Sequence, residues 1–239
     1  MQNFSNTKVL TFDLFGTILD LGGSLTPFIS ESLRKQNVGT VTSEEFWEQW
    51  RYRQRIEQYQ DTLMMIGHSG YLETVRRALH YTLRRNGIDA SPETVEEFMR
   101  GWQQLSPFPE VLSALKSLTT KYQLVVLSNG DPEFLDYLVK YRVEWVFDGV
   151  ISVTSFGSFK PHPGVYRGAA GKLKVEVNEC MMVSANSFDI MGARACGFRG
   201  AYVNRYKLPY EDTPFKPDLT VCDFNELVDA VINTTPNLG

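Results

Sequence analysis

The stretch Val9-Leu-Thr-Phe-Asp-Leu-Phe-Gly-Thr17 joins a short apolar run to a polar turn. The run Val9–Phe12 has the length and apolar content of a buried strand, and the glycine and threonine after it suit a tight turn. Asp13 therefore comes directly after a strand end. Because ligands of open α/β sheets bind beyond the carboxyl ends of the strands, this stretch predicts a strand and a candidate reactive carboxylate together.

Five further apolar, β-branched runs repeat this pattern later in the chain. They are residues 124–127, 150–153, 181–183, 201–203 and 219–221. Helical stretches separate them, and one has a clear start signal, because Asp131 suits an N-cap and Pro132 suits the first helical position. Strands that alternate with helices indicate an α/β protein with a doubly wound, Rossmann-like parallel sheet.

A long gap separates the first two strands, and it contains no good strand candidate. Thr42 and Glu45 form a capping-box pattern that opens a helix, and residues 71–86 and 92–102 have further helical patterns. A parallel crossover needs only one helix, so the additional helices indicate an insertion.

The insertion divides the chain into two predicted domains. Residues 20–103 are expected to form an α-helical cap domain inserted after the first strand. Residues 1–19 and 104–239 are expected to form the α/β core domain, with a frayed tail at 233–239.

The overall composition restricts the class of protein. The chain has 239 residues, of which 43% are hydrophobic and 22% charged, which is enough for a sizeable buried core. Its 24 Lys and Arg against 28 Asp and Glu give a net charge of −4 without a basic run, so nucleic acid and anionic membranes are poor candidate partners. The sequence shows no charged-then-apolar leader and no apolar window of about 18 residues, which predicts a soluble cytoplasmic protein.

Polar side chains follow the strands of the predicted sheet at their carboxyl ends. Because these ends meet at one edge of a parallel sheet, we expect the side chains to surround Asp13. They are Ser128 and Asn129 after the second strand, Lys160 in the turn after the third, and Ser184, Asn186 and Asp189 after the fourth.

The residues expected around Asp13 are of the types that support a carboxylate nucleophile. Thr17 can hold its carboxylate through a hydroxyl hydrogen bond, and Lys160 can compensate its charge and stabilise negative charge that develops in a reaction. Asp189 can pair with Lys160. A carboxylate that attacks an electrophile forms a covalent ester or acyl phosphate. Taken alone, Asp13 also fits a turn or helix cap, Lys160 a solvated surface charge, and Asp189 an acid at a helix N-terminus.

Together these residues resemble the haloacid dehalogenase superfamily, and most closely its L-2-haloacid dehalogenase family. The four family motifs look like Asp13-Leu-Phe-Gly-Thr17, Leu127-Ser-Asn-Gly130, the segment from Lys160-Pro to Val165-Tyr166, and Val183-Ser-Ala-Asn-Ser-Phe-Asp189. Four motifs in order, over nearly the whole chain, are a specific signal. The resemblance implies a hydrolase with a Rossmann-like core and an inserted helical cap.

The residue two positions after the nucleophile separates branches of this superfamily. Its phosphatases keep a second aspartate there as the acid for the leaving alkoxide, whereas this chain has Phe15. A halide is a weak base that needs no proton, so Phe15 favours carbon–halogen cleavage. The fourth motif also lacks the adjacent acidic pair that helps to hold Mg²⁺ in the phosphatases. We therefore expect no metal, no cofactor, and a substrate carboxylate in place of a phosphate.

The resemblance also assigns residues to a substrate and halide site. Arg51, which follows Trp50 on a cap helix, matches the family arginine that binds the halide, and Asn129 would join it. Arg53 and Arg55 are rivals, since Arg55 lies one turn on from Arg51, and an exposed helix charge is the alternative for each of them. The remaining residues assigned to the substrate site are Leu14, Phe15, Tyr166 and Phe188.

The implied activity converts a short L-2-haloalkanoic acid to the 2-hydroxy acid and halide, with inversion, through an ester on Asp13. Asp189 with Lys160 would orient or activate the water, and the sequence leaves the base open. A phosphatase-type member and a non-catalytic protein on the same fold are the alternatives. A homodimer is compatible with the family resemblance. The residues implied to position the nucleophile and the oxyanion are Lys160, Ser128, Ser184 and Asn186.

Overall fold

A parallel sheet lies at the centre of the computed structural model, which describes residues 4–65 and 67–232. In chain order, the strands of the described residues are β1 (Val9–Phe12), β2 (Leu19–Asp20), β3 (Ser106–Pro107), β4 (Gln123–Ser128), β5 (Gly149–Ser152), β6 (Cys180–Ser184), β7 (Arg199–Val203) and β8 (Leu219–Val221). Six of them form the parallel sheet, in the order β5-β4-β1-β6-β7-β8. Each of the six predicted apolar runs overlaps one of the six strands of the sheet. The predicted fraying of 233–239 falls outside the described residues.

Helices cover both faces of this sheet. In the described part of the chain they are α1 (Leu21–Lys35), α2 (Ser43–Leu63), α3 (Tyr71–Arg85), α4 (Pro92–Met99), α5 (Val111–Leu118), α6 (Pro132–Leu138), α7 (Pro163–Leu173), α8 (Ser187–Ala195) and α9 (Phe224–Val231). Helices α7 and α8 pack with Val9 on one face, and α5, α6 and α9 pack with Leu10 and Phe12 on the other. The fold is therefore the doubly wound α/β arrangement that the sequence predicts. Over residues 4–65 and 67–232, no helix is both long and apolar enough to cross a bilayer.

Strand β1 occupies the middle of the sheet and is completely buried. It pairs with β4 on one side and β6 on the other, so that Phe12 is level with Val126 and Val183. A strand buried on both faces reads as a continuous apolar run, which explains the lack of alternation in its sequence. The chain leaves β1 toward β4 and returns from β5 to β6 on the opposite side. The crevice beyond β1 and β6 is therefore the topological switch point, where ligands of such sheets bind.

Helices α1 to α4 lie between β2 and β3 and carry the helical insertion. Helix α2 begins at the predicted capping box, in which the side chains of Thr42 and Glu45 each accept from the other's backbone N–H. The sequence pattern does not predict α1, because Gly22, Gly23 and Pro27 weaken its helical signal. Its N-cap compensates in part, since the side chain of Asp20 accepts from the N–H of Gly23.

A short antiparallel pair joins the two ends of this insertion. Strands β2 and β3 place Leu19 level with Pro107 and Asp20 level with Ser106. The expectation that the gap holds no strand is wrong at these two places, because strands of two residues carry no periodicity to detect. The pair brings the beginning and the end of the helical segment together at the edge of the core.

Asp131 links the insertion to the core. It stands at the predicted N-cap position of α6, but its side chain makes no capping bond to that helix. Its Oδ1 and Oδ2 instead accept from the backbone N–H groups of Tyr71 and Leu72, at 2.8 and 3.0 Å. These N–H groups belong to the first turn of α3, where they have no partner within the helix. A core residue therefore caps a helix of the insertion.

Candidate active site

Asp13 lies at the switch point of the sheet and is held from three sides. Its side chain is buried, with 5% of the residue exposed, and its backbone N–H donates to Val183 O at 3.0 Å. Oδ1 accepts from Lys160 Nζ at 3.1 Å. Oδ2 accepts from Thr17 Oγ1 at 3.0 Å and from Asn186 Nδ2 at 2.8 Å. The carboxylate thus has one fixed orientation, with a donor on each oxygen.

Lys160 lies between two buried carboxylates. Its ammonium donates to Asp13 Oδ1, to Leu127 O at 2.8 Å and to Asp189 Oδ2 at 2.7 Å, which uses all three of its N–H groups. Burial by itself would lower the pKa of Lys160, but the two neighbouring carboxylates outweigh burial and raise it. The lysine is therefore a fixed positive charge, as a buried ion pair requires.

Asp189 is held behind this lysine by a second donor. Tyr166 Oη donates to Asp189 Oδ1 at 2.7 Å, so both oxygens of Asp189 are engaged. Burial raises the pKa of Asp189, and the charge of Lys160 acts in the opposite direction. Burial and the adjacent carboxylate raise the pKa of Tyr166 well above its ordinary value, so its hydroxyl remains a donor.

The two predicted serines support turns and do not touch Asp13. Ser128 Oγ accepts from the N–H of Gly130 at 3.3 Å, and Ser184 Oγ accepts from the N–H of Asn186 at 3.1 Å. Among the described residues, neither hydroxyl makes a hydrogen bond to Asp13. Their geometry fits residues that fix the loops after β4 and β6, and Asn186 carries the direct contact to the carboxylate.

Asn129 is bound between the core and the insertion. Its Oδ1 accepts from the N–H of Lys160 at 2.9 Å, and its Nδ2 donates to Gln58 Oε1 of α2 at 3.1 Å. Its backbone O accepts from His68 Nε2 at 3.0 Å, while His68 Nδ1 accepts from the N–H of Gly70 at 3.2 Å. These two bonds fix His68 as the neutral Nε2–H form, in keeping with burial, which lowers its pKa. The sequence gives no signal for Gln58 or His68 here.

A cavity of about 500 Å³ opens beside Asn186, between the insertion and the core. Arg51 and Arg55 of α2 both line it. Arg51 Nη1 donates to Gln54 Oε1 at 2.8 Å, and Arg55 Nη2 donates to Asn186 Oδ1 at 2.7 Å. In the described part of the chain neither guanidinium has a carboxylate within ion-pair distance. Arg53 differs, because its Nε donates to Glu57 at 2.8 Å.

The two unpaired guanidiniums influence each other. Burial, followed by the positive charge of Arg51, lowers the pKa of Arg55 to about 10. Arg55 Nε is buried and has no hydrogen-bond acceptor among the described residues. Glu44 and Glu48 also line this cavity, but neither lies within ion-pair distance of Arg51 or Arg55, so the two guanidiniums provide a site for an anion. The sequence identifies Arg55 only as a rival of Arg51 and does not indicate its bond to Asn186.

The remaining residues assigned to the substrate site lie around the cavity or behind it. Leu14 and Phe15 are buried, and the ring of Phe15 stacks on Tyr71 with 4.1 Å between centroids. Tyr166 is buried against Asp189. Phe188 lies beneath the guanidinium of Arg55, 5.5 Å from the ring centroid. None of these four residues is among the described residues that line the cavity.

The described residues contain no cluster of three histidine, cysteine or acidic side chains placed to hold a metal ion. Thr17 Oγ1, Asn186 Nδ2 and Lys160 Nζ all approach the Asp13 carboxylate as hydrogen-bond donors, whereas a hard cation binds oxygen ligands. The donor set around Asp13 therefore suits an anionic or polar substrate better than a divalent cation.

Comparison with known proteins gives the same family. Residues 7–197 match the family model of haloacid dehalogenase-like hydrolases. The chain is 28% identical to haloacetate dehalogenase H-2 of Moraxella sp. (strain B), over 95% of this chain and 96% of that one. It is 30% identical to an (S)-2-haloacid dehalogenase of Xanthobacter autotrophicus, over 83% of this chain and 75% of that one.

The fold also matches that of a solved structure. L-2-haloacid dehalogenase from Xanthobacter autotrophicus, with chloropropionic acid covalently bound, superposes with a TM-score of 0.81 and 26% identity, over 96% of this chain and 100% of that one. The motifs, the doubly wound core with its helical insertion and the matched family model agree. This chain belongs to the haloacid dehalogenase-like hydrolases and, among them, to the L-2-haloacid dehalogenases.

Proposed function

We propose that this enzyme hydrolyses the carbon–halogen bond of an L-2-haloalkanoic acid through an ester on Asp13. An oxygen of Asp13 attacks C2, and the carbon–halogen electron pair leaves with the halide. Water then adds to the ester carbonyl carbon, and loss of its proton and of the alkoxide gives the 2-hydroxy acid. Because C2 is substituted once, its configuration inverts. The single observation that carries the proposal is the buried Asp13 carboxylate, held by Lys160, Thr17 and Asn186, the last of which lines a cavity together with Arg51 and Arg55.

The contacts of Asp13 support both steps. Whichever oxygen attacks C2, the other oxygen keeps at least one N–H or O–H donor, from Lys160 or from Thr17 and Asn186. That donor stabilises the oxyanion that forms when water adds to the ester. Asp189 positions Lys160 from the other side. Ser128 and Ser184 act on the loops that carry these groups and do not touch the reacting atoms.

The charges around the cavity favour a substrate with one carboxylate. Asp13, Lys160 and Asp189 together leave one negative charge in excess. Arg51 and Arg55 bring these five residues to one positive charge in excess. The exposed carboxylates of Glu44 and Glu48 also line the cavity, so it is the inner part of the wall, at Arg51 and Arg55, that suits a monocarboxylate. During the first step the charge of Asp13 moves to the departing halide, so the two guanidiniums can stabilise the halide and the substrate carboxylate at the same time.

Phe15 supports halide as the leaving group. Its side chain is apolar and stacked on Tyr71, so no acid stands two residues after the nucleophile to protonate an alkoxide. The proposal therefore includes turnover without a metal or cofactor. It also includes residues 20–103 as a cap domain over the core. A cytoplasmic location and a homodimer stay predictions from the sequence and the family resemblance.

Single-turnover hydrolysis in ¹⁸O water tests the covalent step. With enzyme in excess over (S)-2-chloropropanoate, the label should appear in the Asp13 carboxylate, as read by mass spectrometry of the peptide that contains it. Label in the lactate alone would show direct attack by water and would refute the proposal. The Asp13→Asn variant should release no chloride.

A second assay separates the dehalogenase from a phosphatase. Chloride release from (S)-2-chloropropanoate and phosphate release from p-nitrophenyl phosphate are measured side by side, before and after dialysis against EDTA. We expect chloride release that EDTA leaves unchanged. Phosphate release that requires added Mg²⁺, without chloride release, would place this chain with the phosphatases.

A further inference from the structure

The cavity beside Asn186 is much larger than the smallest 2-haloacids. Its volume is about 500 Å³. A molecule such as 2-bromopropanoate has roughly the volume of three or four water molecules, about 100 Å³. Cavities of about 300 to 1,000 Å³ accommodate ligands of drug size. A short haloacid would therefore leave most of this cavity filled with water.

Along α2 the lining of the cavity changes from the cationic Arg51 and Arg55 to the aromatic Trp47, and the exposed Glu44 and Glu48 also belong to that end of the wall. Trp47, Arg51 and Arg55 are four residues apart and lie on one face of that helix. Arg55 donates to Asn186 at the inner end, Arg51 lies one turn away from Arg55 along α2, and Trp47 lies one turn further again. Leu21 of α1 and Tyr206 add apolar surface to the wall. Such a gradient suits a molecule with an anionic head and an apolar group.

The loop after β7 holds its apolar residues firmly in the wall of the cavity. Tyr206 and Leu208 line the cavity although 50% and 58% of their surfaces are exposed. The Asn204 side chain accepts from the N–H of Leu208 and donates to its O, both at 2.9 Å, which closes a tight turn around Tyr206. Tyr206 and Leu208 therefore add apolar surface to the cavity wall from a loop that hydrogen bonds hold in place.

Arg205 ties this loop to the turn that carries the nucleophile. Its Nε donates to Thr17 O at 3.2 Å, its Nη1 lies 2.7 Å from Glu110 Oε1, and its guanidinium stacks on Phe108 at 3.8 Å. Tyr206 Oη consequently lies close to the same turn, 3.7 Å from the position that a Cβ on Gly16 would occupy. Tyr206, which lines the cavity, therefore lies beside the turn that follows Asp13.

From this arrangement we propose that the preferred substrates are 2-haloacids with a bulky, aromatic-containing group on C2. The proposal rests on the proposed function and specifies its substrate class. The carboxylate and the departing halide would lie toward Arg51 and Arg55, and the C2 substituent would extend toward Trp47 and Tyr206. Burial of a phenyl group against these side chains supplies binding free energy that a methyl group cannot.

The test compares two substrates with the same leaving group. Bromide release from (S)-2-bromo-3-phenylpropanoate and from (S)-2-bromopropanoate gives kcat/KM for each, and we expect the phenyl compound to be favoured at least tenfold. Tyr206→Ala and the cavity-filling Thr26→Phe should each lower this preference at least fivefold. Tyr141→Ala removes a similarly exposed tyrosine far from the cavity and should leave both values unchanged.

The outcomes separate the two proposals. Efficient bromide release from 2-bromopropanoate, with the phenyl compound equal or worse, would refute the inference and leave the proposed function intact. A phenyl preference that Tyr206→Ala and Thr26→Phe do not change would place the substituent elsewhere and would also refute the inference. Absence of bromide release from both compounds would refute the proposed function, and the inference with it.

Discussion

Arg55 Nη2 donates to Asn186 Oδ1 at 2.7 Å, and the amide of Asn186 in turn donates to Asp13 at 2.8 Å. A guanidinium of the helical insertion thus orients the side chain that orients the candidate nucleophile. Because an amide has one acceptor end and one donor end, the bond from Arg55 fixes which end of Asn186 faces Asp13. The position of the insertion and the orientation of the carboxylate are therefore coupled.

Arg55→Ala should slow the attack of Asp13 on every substrate to the same extent. Loss of one charge-assisted bond in a closed site is worth about 2 to 4 kcal/mol, or roughly a thirtyfold to thousandfold loss of rate. With the halide at Arg51, Arg55 acts through Asn186 and the substrate carboxylate, so the loss in single-turnover halide release should be equal for 2-chloropropanoate and 2-bromopropanoate. Arg55→Lys should recover part of the rate. Unchanged single-turnover rates in Arg55→Ala would show that Asn186 needs no support from the insertion.

Arg51→Ala should instead depend on the leaving group. If the guanidinium stabilises the departing halide, kcat and kcat/KM should fall together, by about the same thirtyfold to thousandfold range. The loss should be larger for 2-chloropropanoate than for 2-bromopropanoate, because chloride is the poorer leaving group. Arg53→Ala is the matched control, since Arg53 pairs with Glu57, and should be much milder. Near-normal rates in Arg51→Ala together with inactive Arg55→Ala would assign the halide to Arg55.

Lys160→Met should destabilise the fold as well as abolish turnover. It leaves the carboxylates of Asp13 and Asp189 buried without their shared cation, and breaking a buried ion pair in this way costs about 3 to 5 kcal/mol. Urea denaturation at pH 7 measures the free energy of unfolding. The double variant with Asp189→Asn should regain part of the loss and remain inactive. A change below about 1 kcal/mol in Lys160→Met would contradict the buried ion pair.

His68 should make the protein less stable in mild acid. Burial lowers the pKa of His68 below the ordinary histidine value of 6.5, so the unfolded chain takes up the proton first as the pH falls. The stabilisation is present above pH 6.5 and is lost as the pH decreases below it, with a slope of at most about 1.4 kcal/mol per pH unit. Protonation would also place a hydrogen on Nδ1, where the N–H of Gly70 donates.

The pH effect is measured by urea denaturation of wild type and His68→Gln between pH 7.5 and 5. The variant should show a smaller loss of stability over this range. His162→Gln changes an exposed histidine whose Nδ1 caps α7. Its curve can therefore lie at another stability, but its pH dependence should run parallel to that of wild type. Parallel curves for wild type and His68→Gln would show that other groups cause the acid dependence.

Much of the site could be predicted because parallel strands end at a common edge. Polar groups converge at this edge because β1 lies beside β6. They are the carboxylate after β1, the lysine after β5, and the amide and the acid after β6. The place of each residue after a strand can be read from the sequence, and the parallel arrangement of the strands then brings the residues together. Buried strands are also easy to detect, since their apolar runs are short and bounded by turn residues.

Contacts between the insertion and the core could not be predicted in this way. The bonds from Arg55 to Asn186 and from Asp131 to the start of α3 depend on how the insertion packs against the core, and hydrophobic periodicity carries no such information. Asp131 shows the limit clearly. Its sequence context indicates a cap for the helix that follows it, but its side chain serves a helix about 60 residues earlier in the chain.

That arrangement constrains how insertions can be exchanged between relatives. If the insertion of this chain were grafted onto a core with an apolar residue at the position of Asp131, the N–H groups of Tyr71 and Leu72 would lose their acceptors at the seam. Each unpaired buried donor costs about 1 to 3 kcal/mol. A working chimera would have to transfer Asp131 together with the insertion, although Asp131 belongs to the core and follows Tyr71 by 60 residues in the chain.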